Sequence, residues 1–173
     1  MGLRFLKSFK YAFRGIVYCI NNERNMRIHT AIALYVFVFS FFFHLTRVEY
    51  AVLFLTFALV FAAELFNTVA EELCDLNAAS FNPVVRIVKD MASGGVLVCA
   101  VFSVAVGVCL FWKPNVFAQI LWHFTQHPIL LLLLPLFTAA AVFYIVLGPL
   151  GIRDRLRRRK NGNRERFFGG TGK

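Results

Sequence analysis

Long apolar stretches separated by short polar ones dominate this chain. Four of the apolar stretches reach the roughly 20 residues that a helix needs to cross a bilayer. They cover residues 27–45, 50–70, 91–112 and 128–147. The pattern therefore predicts an all-α integral membrane fold.

The N-terminal segment follows a different pattern. Residues 3–22 place apolar side chains near helical spacing and basic side chains between them. This predicts an amphipathic surface helix, with its cations toward the lipid headgroups and its Phe side chains toward the acyl chains. A simple basic anchor is the alternative for this segment.

The composition agrees with a membrane protein. Hydrophobic residues make up 59% of the chain, and 21 of its 173 residues are Phe. A soluble domain of this size could not bury so much apolar surface. We therefore expect one membrane domain whose helices pack against lipid as well as against each other.

Basic residues concentrate at the two ends of the chain. Residues 1–27 carry six Lys or Arg and residues 153–173 carry nine, whereas the loops near Arg47 and Lys113 carry one each. By the positive-inside rule, both termini face the cytoplasm, as does the connection between the second and third spans. The net charge of +10 favours anionic membrane lipids as partners. Nucleic acid is a poor partner for so apolar a chain.

A ladder of polar residues interrupts the end of the second span. Glu64, Asn67, Glu71 and Asp75 follow one another at gaps of three, four and four residues, which keeps them on one helix face. A carboxylate inside an apolar helix costs roughly 2.5–3.5 kcal/mol on insertion scales. Such a residue indicates a partner or a function. Glu72 points about 100° away from Glu71 and is expected to be a solvated charge.

Acidic residues gather on the predicted cytoplasmic side. Apart from the two acids of the C-terminal tail, six of the nine acids lie there: Glu23, Glu64, Glu71, Glu72, Asp75 and Asp90. Oxygen ligands of this kind suit Mg²⁺, which typically takes one or two protein carboxylates and completes its shell with water and substrate phosphate. Phosphoryl transfer needs such a metal and a cation for the phosphate oxygens, and Lys89 is a candidate for that cation.

The order of these residues resembles a known signature. Residues 64–75 (ELFNTVAEELCD) and 89–95 (KDMASGG) look like the signature of the small bacterial lipid kinases, the prokaryotic diacylglycerol kinase and undecaprenol kinase family. The resemblance extends from about Arg4 to Trp112. Residues 24–25 and 28–29 resemble the undecaprenol kinase branch more than the diacylglycerol kinases.

The resemblance implies an ATP- and Mg²⁺-dependent kinase that phosphorylates a membrane lipid alcohol, with undecaprenol favoured and diacylglycerol next. Glu64 would be the general base, and Asn67 would orient the reacting groups. Glu23 and Glu71 would hold Mg²⁺. The nucleotide and its phosphates would contact Lys89, Asp90, Asp75, Arg4, Lys7 and Tyr11.

The resemblance also implies an assembly and a location. Relatives of this kind are homotrimers of the bacterial cell membrane with active sites between subunits, so that Glu23 of one chain could complete a site on another. Residues 1–112 would form the lipid kinase domain, with a surface helix and three spans. Residues 113–150 would add a loop and a fourth transmembrane helix, and residues 151–173 a basic, disordered cytoplasmic tail.

Two alternatives stay open. The ladder could be a stabilising polar seam between helices, neutralised by Lys89 and Arg86. The protein could also be a non-enzymatic membrane scaffold or a cation carrier with an acidic helix face. Within the kinase hypothesis, the two lipid alcohols present the same primary hydroxyl at the same depth.

Overall fold

The fold is a bundle of α-helices. The structure, a computed structural model, describes the backbone of residues 2–77 and 83–168 and the side chains of residues 5–76, 83–127, 129 and 132–151. Every regular element in those ranges is helical. The helices are α1 (Gly2–Asn22), α2 (Arg24–Ser40), α3 (Arg47–Asn77), α4 (Pro83–Phe111), α5 (Pro114–Gln126) and α6 (Pro128–Phe168), with one 3₁₀ turn at Phe41–Phe43.

Four helical segments are long and apolar enough to cross a membrane. They are Arg24–Phe43, Arg47–Leu76, Pro83–Phe111 and Leu132–Gly151. The prediction of four spans in an all-α fold is thus confirmed. The second span runs past its predicted end at residue 70, because the ladder of polar residues continues the same helix.

Helix α1 covers the predicted surface segment. Its Phe side chains are exposed, with Phe5 at 66%, Phe9 at 58% and Phe13 at 69%. A helix with such an uncovered apolar face in a basic segment is typical of one that lies in a bilayer interface. Residue Glu23, in extended conformation, separates α1 from α2.

The connection between α2 and α3 has a defined start and stop. The 3₁₀ turn ends at His44, whose φ of 47° is left-handed. Helix α3 then begins with a capping box. Thr46 N donates to Glu49 Oε2 at 2.6 Å, and Glu49 N donates to Thr46 Oγ1 at 3.3 Å. This fixes the second span in an antiparallel direction to the first.

The apolar core lies at this same end of the bundle. It consists of Phe43, Leu45, Leu53 and Leu110. Helix α5 covers it, with Val116 and Ile120 packed against the cluster and the Phe117 ring 5.4 Å from that of Phe43. The ladder residues are at the opposite end, next to α1, which we call the α1 end of the bundle.

Residues 114–126 correct the expectation of a loop before the fourth span. They form helix α5, which has Pro114 at its first turn, where a missing N–H costs nothing. The reason is the spacing of Val116 and Ile120, four residues apart on one face, because that face has a core to cover.

The fourth span packs on α2. Thr30 Oγ1 lies 3.1 Å from Tyr144 Oη, and Tyr35 Oη donates to Thr138 Oγ1 at 2.9 Å. Helix α6 is interrupted at Gly148, where φ is 64° and ψ is 167°. Beyond it, the backbone is helical through Phe168, over most of the segment that the sequence predicts to be disordered.

The predicted orientation can be tested with single cysteines, after the four native cysteines are replaced by serine. We expect Arg47→Cys to react with a membrane-impermeant maleimide in intact cells. Ser8→Cys on α1 should react only after the inner membrane is permeabilised, because the positive-inside rule places α1 in the cytoplasm. Labelling of Ser8→Cys from outside intact cells would contradict the orientation.

Candidate active site

Glu64 is the least solvated acid of the described side chains, at 1% exposure. Both of its carboxylate oxygens are buried and neither accepts a hydrogen bond. His29 Nε2 lies 3.4 Å from Glu64 Oε1, close enough for charge interaction but without hydrogen-bond geometry. The carboxylate is therefore held in a poorly solvated position with acceptor capacity to spare.

Asn67 lies one turn further along α3 and is 5% exposed. Its Nδ2 donates to Glu71 Oε1 at 2.9 Å, while Ser93 Oγ of α4 donates to Asn67 Oδ1 at 3.3 Å. Both ends of the amide are thus engaged, which fixes its orientation and that of the Glu71 carboxylate. The predicted neighbours Glu64, Asn67 and Glu71 do share one face.

Glu23 reaches this face from the junction of α1 and α2. It is the N-cap residue of α2, with φ −94° and ψ 121°, but its side chain makes no capping hydrogen bond. Burial raises the pKa of the Glu23 carboxyl above its ordinary value, and so do the nearby charges of Glu71, Glu64 and Glu72, while Arg27 opposes them. Glu23 therefore lies near Glu64, Glu71 and Glu72 of its own chain, and we call these four residues the acidic cluster.

Helix α1 is attached to α3 by two polar contacts. Tyr18 Oη donates to Glu72 Oε1 at 2.5 Å, and this bond to a carboxylate raises the pKa of the phenol. Cys19 Sγ lies 3.2 Å from Thr68 Oγ1, which itself donates to the Glu64 carbonyl oxygen at 3.0 Å. Glu72 is exposed, as expected for a solvated charge, and it also accepts this hydrogen bond from α1.

Lys89 and Asp75 form an ion pair between α4 and α3, with Nζ 2.5 Å from Oδ1. Asp90 faces outward, with Oδ2 3.9 Å from Nε of Arg86, and both side chains are highly exposed. The cations of the proposed polar seam are therefore engaged with Asp75 and Asp90. Lys89 thus neutralises one ladder residue, Asp75, as the seam alternative expects, whereas neither Lys89 nor Arg86 forms an ion pair with Glu64 or Glu71 in the described part of the chain.

The surface-helix candidates lie apart from this cluster. The Tyr11 side chain is 61% exposed, and the Arg14 guanidinium lies 5.8 Å from its ring centre. Lys7 is also exposed. The Arg4 side chain lies outside the described residues. Within one chain, the structure does not bring Lys7, Tyr11 or Asp90 to Glu64.

The donor set at this end of the bundle fits a magnesium ion. Across the described residues, no three His, Cys, Asp or Glu side chains converge on one metal-binding point. Mg²⁺, however, commonly takes only one or two protein carboxylates and otherwise uses water and phosphate oxygens. Glu23 and Glu71 supply hard oxygens. Burial and the nearby charge of Glu71 raise the pKa of Glu23, and a bound cation would stabilise both carboxylates.

Sequence reasoning missed two partners of the ladder, His29 and Ser93. A signal for His29 was present: it precedes the end of the first span by about as many residues as Glu64 follows the start of the antiparallel second span, so the two share a depth. Ser93 gave a weaker signal, since a hydroxyl in a helix often bonds its own backbone, as Ser93 also does to the Lys89 carbonyl at 2.9 Å.

Comparison with known proteins identifies the same family that the residue pattern resembles. Residues 10–111 match the family model described as prokaryotic diacylglycerol kinase. The chain is 41% identical over 110 residues to a protein of Synechocystis sp. named diacylglycerol kinase, a match that covers 63% of each chain. It is 38% identical over 108 residues to the undecaprenol kinase of Bacillus subtilis, covering 62% of this chain and 88% of that one.

The chain belongs to the prokaryotic diacylglycerol kinase family. The matched segment contains helices α2–α4 and the whole ladder. Arg4 and Lys7 precede the segment, and α5 and α6 follow it. The chain spans less than two thirds of the length of the Synechocystis relative.

The raised pKa of Glu23 predicts a pH dependence of stability without metal. The folded state binds the Glu23 proton more tightly than the unfolded chain, so the contribution of Glu23 to stability should be greatest at or below its ordinary pKa of 4.5 and should be lost as pH rises through the raised value. Thermal unfolding in detergent with a chelator measures this. In Glu23→Gln the decline should become shallower, and an unchanged slope would contradict the assigned cause.

Proposed function

We propose that this protein is an ATP- and Mg²⁺-dependent lipid kinase. It transfers the γ-phosphate of ATP to the hydroxyl of a membrane lipid alcohol at the cytoplasmic face of the bacterial cell membrane. The proposal goes beyond family membership, because it names the co-substrates, the metal and the residues that act.

The observation that carries the proposal is the state of Glu64. A general base must reach the proton it removes and must have a free acceptor oxygen. Both Glu64 oxygens lack a hydrogen bond, and the side chain is shielded from water at 1% exposure. Cys19 of the predicted surface helix contacts Thr68, one turn after Glu64 on α3, which supports a depth that the hydroxyl of a lipid alcohol can reach. Glu64 is thus placed to take the hydroxyl proton as oxygen attacks phosphorus.

Glu23 and Glu71 are the residues that would hold the metal. Mg²⁺ held by these carboxylates would neutralise the negative charge of the ATP phosphates, which the carboxylates would otherwise repel. Asn67 fixes the Glu71 carboxylate through its bond of 2.9 Å, so that the ligand oxygen is positioned before metal arrives. This division leaves Glu64 free for the acceptor.

The remaining predicted residues would bind the nucleotide. Lys89 offers a cation next to the cluster, held by Asp75, and Asp90 follows it on α4. Arg4, Lys7 and Tyr11 would contact the nucleotide from α1. Since Lys7, Tyr11 and Asp90 lie apart from Glu64 in a single chain, they fit best in a homotrimer whose sites form between subunits.

Undecaprenol is the acceptor that we favour, with diacylglycerol next. The support is the resemblance of residues 24–25 and 28–29 to the undecaprenol kinase branch. One of those residues is His29, which contacts the Glu64 carboxylate. The names of the two relatives do not separate the acceptors, because one is a diacylglycerol kinase and the other an undecaprenol kinase.

Glu64→Gln should abolish phosphate transfer, by at least about a hundredfold in kcat, because the amide cannot accept the hydroxyl proton. Gln has nearly the same size as Glu and carries no charge, so the variant should insert into the membrane and fold like the wild type. Transfer of labelled phosphate from ATP to undecaprenol measures the effect.

Glu72→Gln is the matched control for this experiment. It removes a carboxylate from the same helix, α3. That carboxylate lies at the surface of the bundle, where it accepts a hydrogen bond from Tyr18. It should retain most of the transfer activity. Full activity of Glu64→Gln would reject the assigned base. A wild-type protein that transfers nothing to either alcohol would favour the scaffold or carrier alternative.

Acceptor preference should appear in side-by-side kinetics. We expect kcat/KM for undecaprenol to exceed that for diacylglycerol by about tenfold or more, a ratio that differences in apolar contacts can supply. His29→Ala should reduce turnover of both alcohols, since it removes a group beside the shared base. A higher kcat/KM for diacylglycerol would reverse the order proposed here.

A further inference from the structure

Arg27 is a buried cation that the proposed chemistry does not use. It is 9% exposed, and it lies four residues after Glu23, in the first turn of α2. Its guanidinium makes no ion pair among the described residues; it donates to three backbone carbonyls instead. Those carbonyls come from two helices that are far apart in the sequence.

Two of the acceptors are carbonyls in the last turn of α1. Arg27 Nη1 donates to Ile20 O at 3.2 Å and to Asn21 O at 2.8 Å. Carbonyls in the final turn of a helix lack intrahelical donors. Glu23 N satisfies the preceding carbonyl, of Cys19, at 2.7 Å. Arg27 thus continues the capping that Glu23 begins, and the two residues together shape the turn between α1 and α2.

The third acceptor belongs to the fourth span. Arg27 Nε donates to Ile145 O at 2.9 Å. In an uninterrupted helix this carbonyl would accept from the N–H four residues later, but that residue is Pro149, which has none. A carbonyl without a donor inside an apolar layer is destabilising, because lipid offers no hydrogen bond. Arg27 therefore satisfies the carbonyl that Pro149 leaves free.

The backbone break next to Pro149 makes room for this contact. Gly148 has a φ of +64°, and a Cβ at that position would meet Arg27 Nη1 at 3.2 Å and Cζ at 3.4 Å. A left-handed φ and a close side chain both favour glycine. The break in α6 and the position of the guanidinium are thus fitted to each other.

From these contacts we propose that the fourth span positions Glu23 through Arg27. The inference rests on the proposed function, in which Glu23 is a metal ligand. The backbone N–H of Arg27 donates to Glu23 O at 3.4 Å at the start of α2, so the guanidinium and the Glu23 backbone belong to one turn. Arg27 is a positioning residue and touches neither substrate nor metal.

The test compares point variants of the full-length protein in lipid nanodiscs, with Mn²⁺ as the probe and its electron paramagnetic resonance signal as the readout. Gly148→Ala and Arg27→Gln should each weaken Mn²⁺ binding by about tenfold, the size of effect that residues supporting a metal ligand show. The double variant should be no worse than the weaker-binding single variant, because both changes act on one contact.

Gly151→Ala is the matched control, since it adds the same methyl group to the same helix where the nearest atom, Leu147 Cβ, is at an ordinary 3.6 Å. It should bind Mn²⁺ like the wild type. In kinase assays, Gly148→Ala should raise the apparent KM for Mg²⁺ in the same proportion, while kcat at saturating Mg²⁺ and KM for the lipid alcohol stay near wild type.

The outcomes separate this inference from the proposed function. An active wild type together with wild-type Mn²⁺ affinity in a folded Gly148→Ala protein would overturn the inference alone. Strictly additive losses in the double variant would also overturn it, because they would mean separate causes. A wild-type protein that neither binds Mn²⁺ nor transfers phosphate would overturn the proposed function and this inference with it.

Discussion

Polar groups carried into an apolar layer must find partners within the protein, because lipid offers none. The hydroxyls of Thr56 and Thr138 meet this constraint by donating to carbonyls one turn back in their own helices, at 2.8 and 2.9 Å. Arg27 meets it with three carbonyls. Glu64 does not meet it, since both oxygens are buried without a hydrogen bond. This departure is what makes the surroundings of Glu64 a candidate active site.

The acidic residues of the bundle fall into two groups, according to whether a polar partner stabilises them. Glu49 caps α3 and contacts Lys113, Glu72 holds Tyr18, and Asp75 pairs with Lys89, so each has a structural function. Among the described residues, Glu23 has no ion-pair partner and Glu64 has only His29 beside it, at 3.4 Å and without a hydrogen bond, while the charge of Glu64 raises the pKa of Glu23. A fold that neutralised its acids for stability alone would not leave these two together. In the proposed mechanism, a cation held by Glu23 and Glu71 would reduce this repulsion.

The sequence predicted what depends on one helix at a time. Apolar length located the spans, and a period of 3.6 residues placed Glu64, Asn67 and Glu71 on one face. Contacts between helices, such as His29 with Glu64, depend on how two helices are rotated and shifted against each other, which neither length nor period determines. Helix α5 was missed because its 13 residues are too short for a span and its apolar face has meaning only once the core beneath it is known.

The fourth span lies beyond the segment that matches the family, yet it shares a hydrogen-bond donor with that segment. Proline in a transmembrane helix is tolerated when a neighbouring helix satisfies the carbonyl that it frees. Here the neighbour is the residue that also caps α1 beside the acidic cluster. The added helix therefore cannot shift at Gly148 without disturbing the turn that carries Glu23, because one guanidinium satisfies both. A single buried side chain is enough to make an appended span part of the site's architecture.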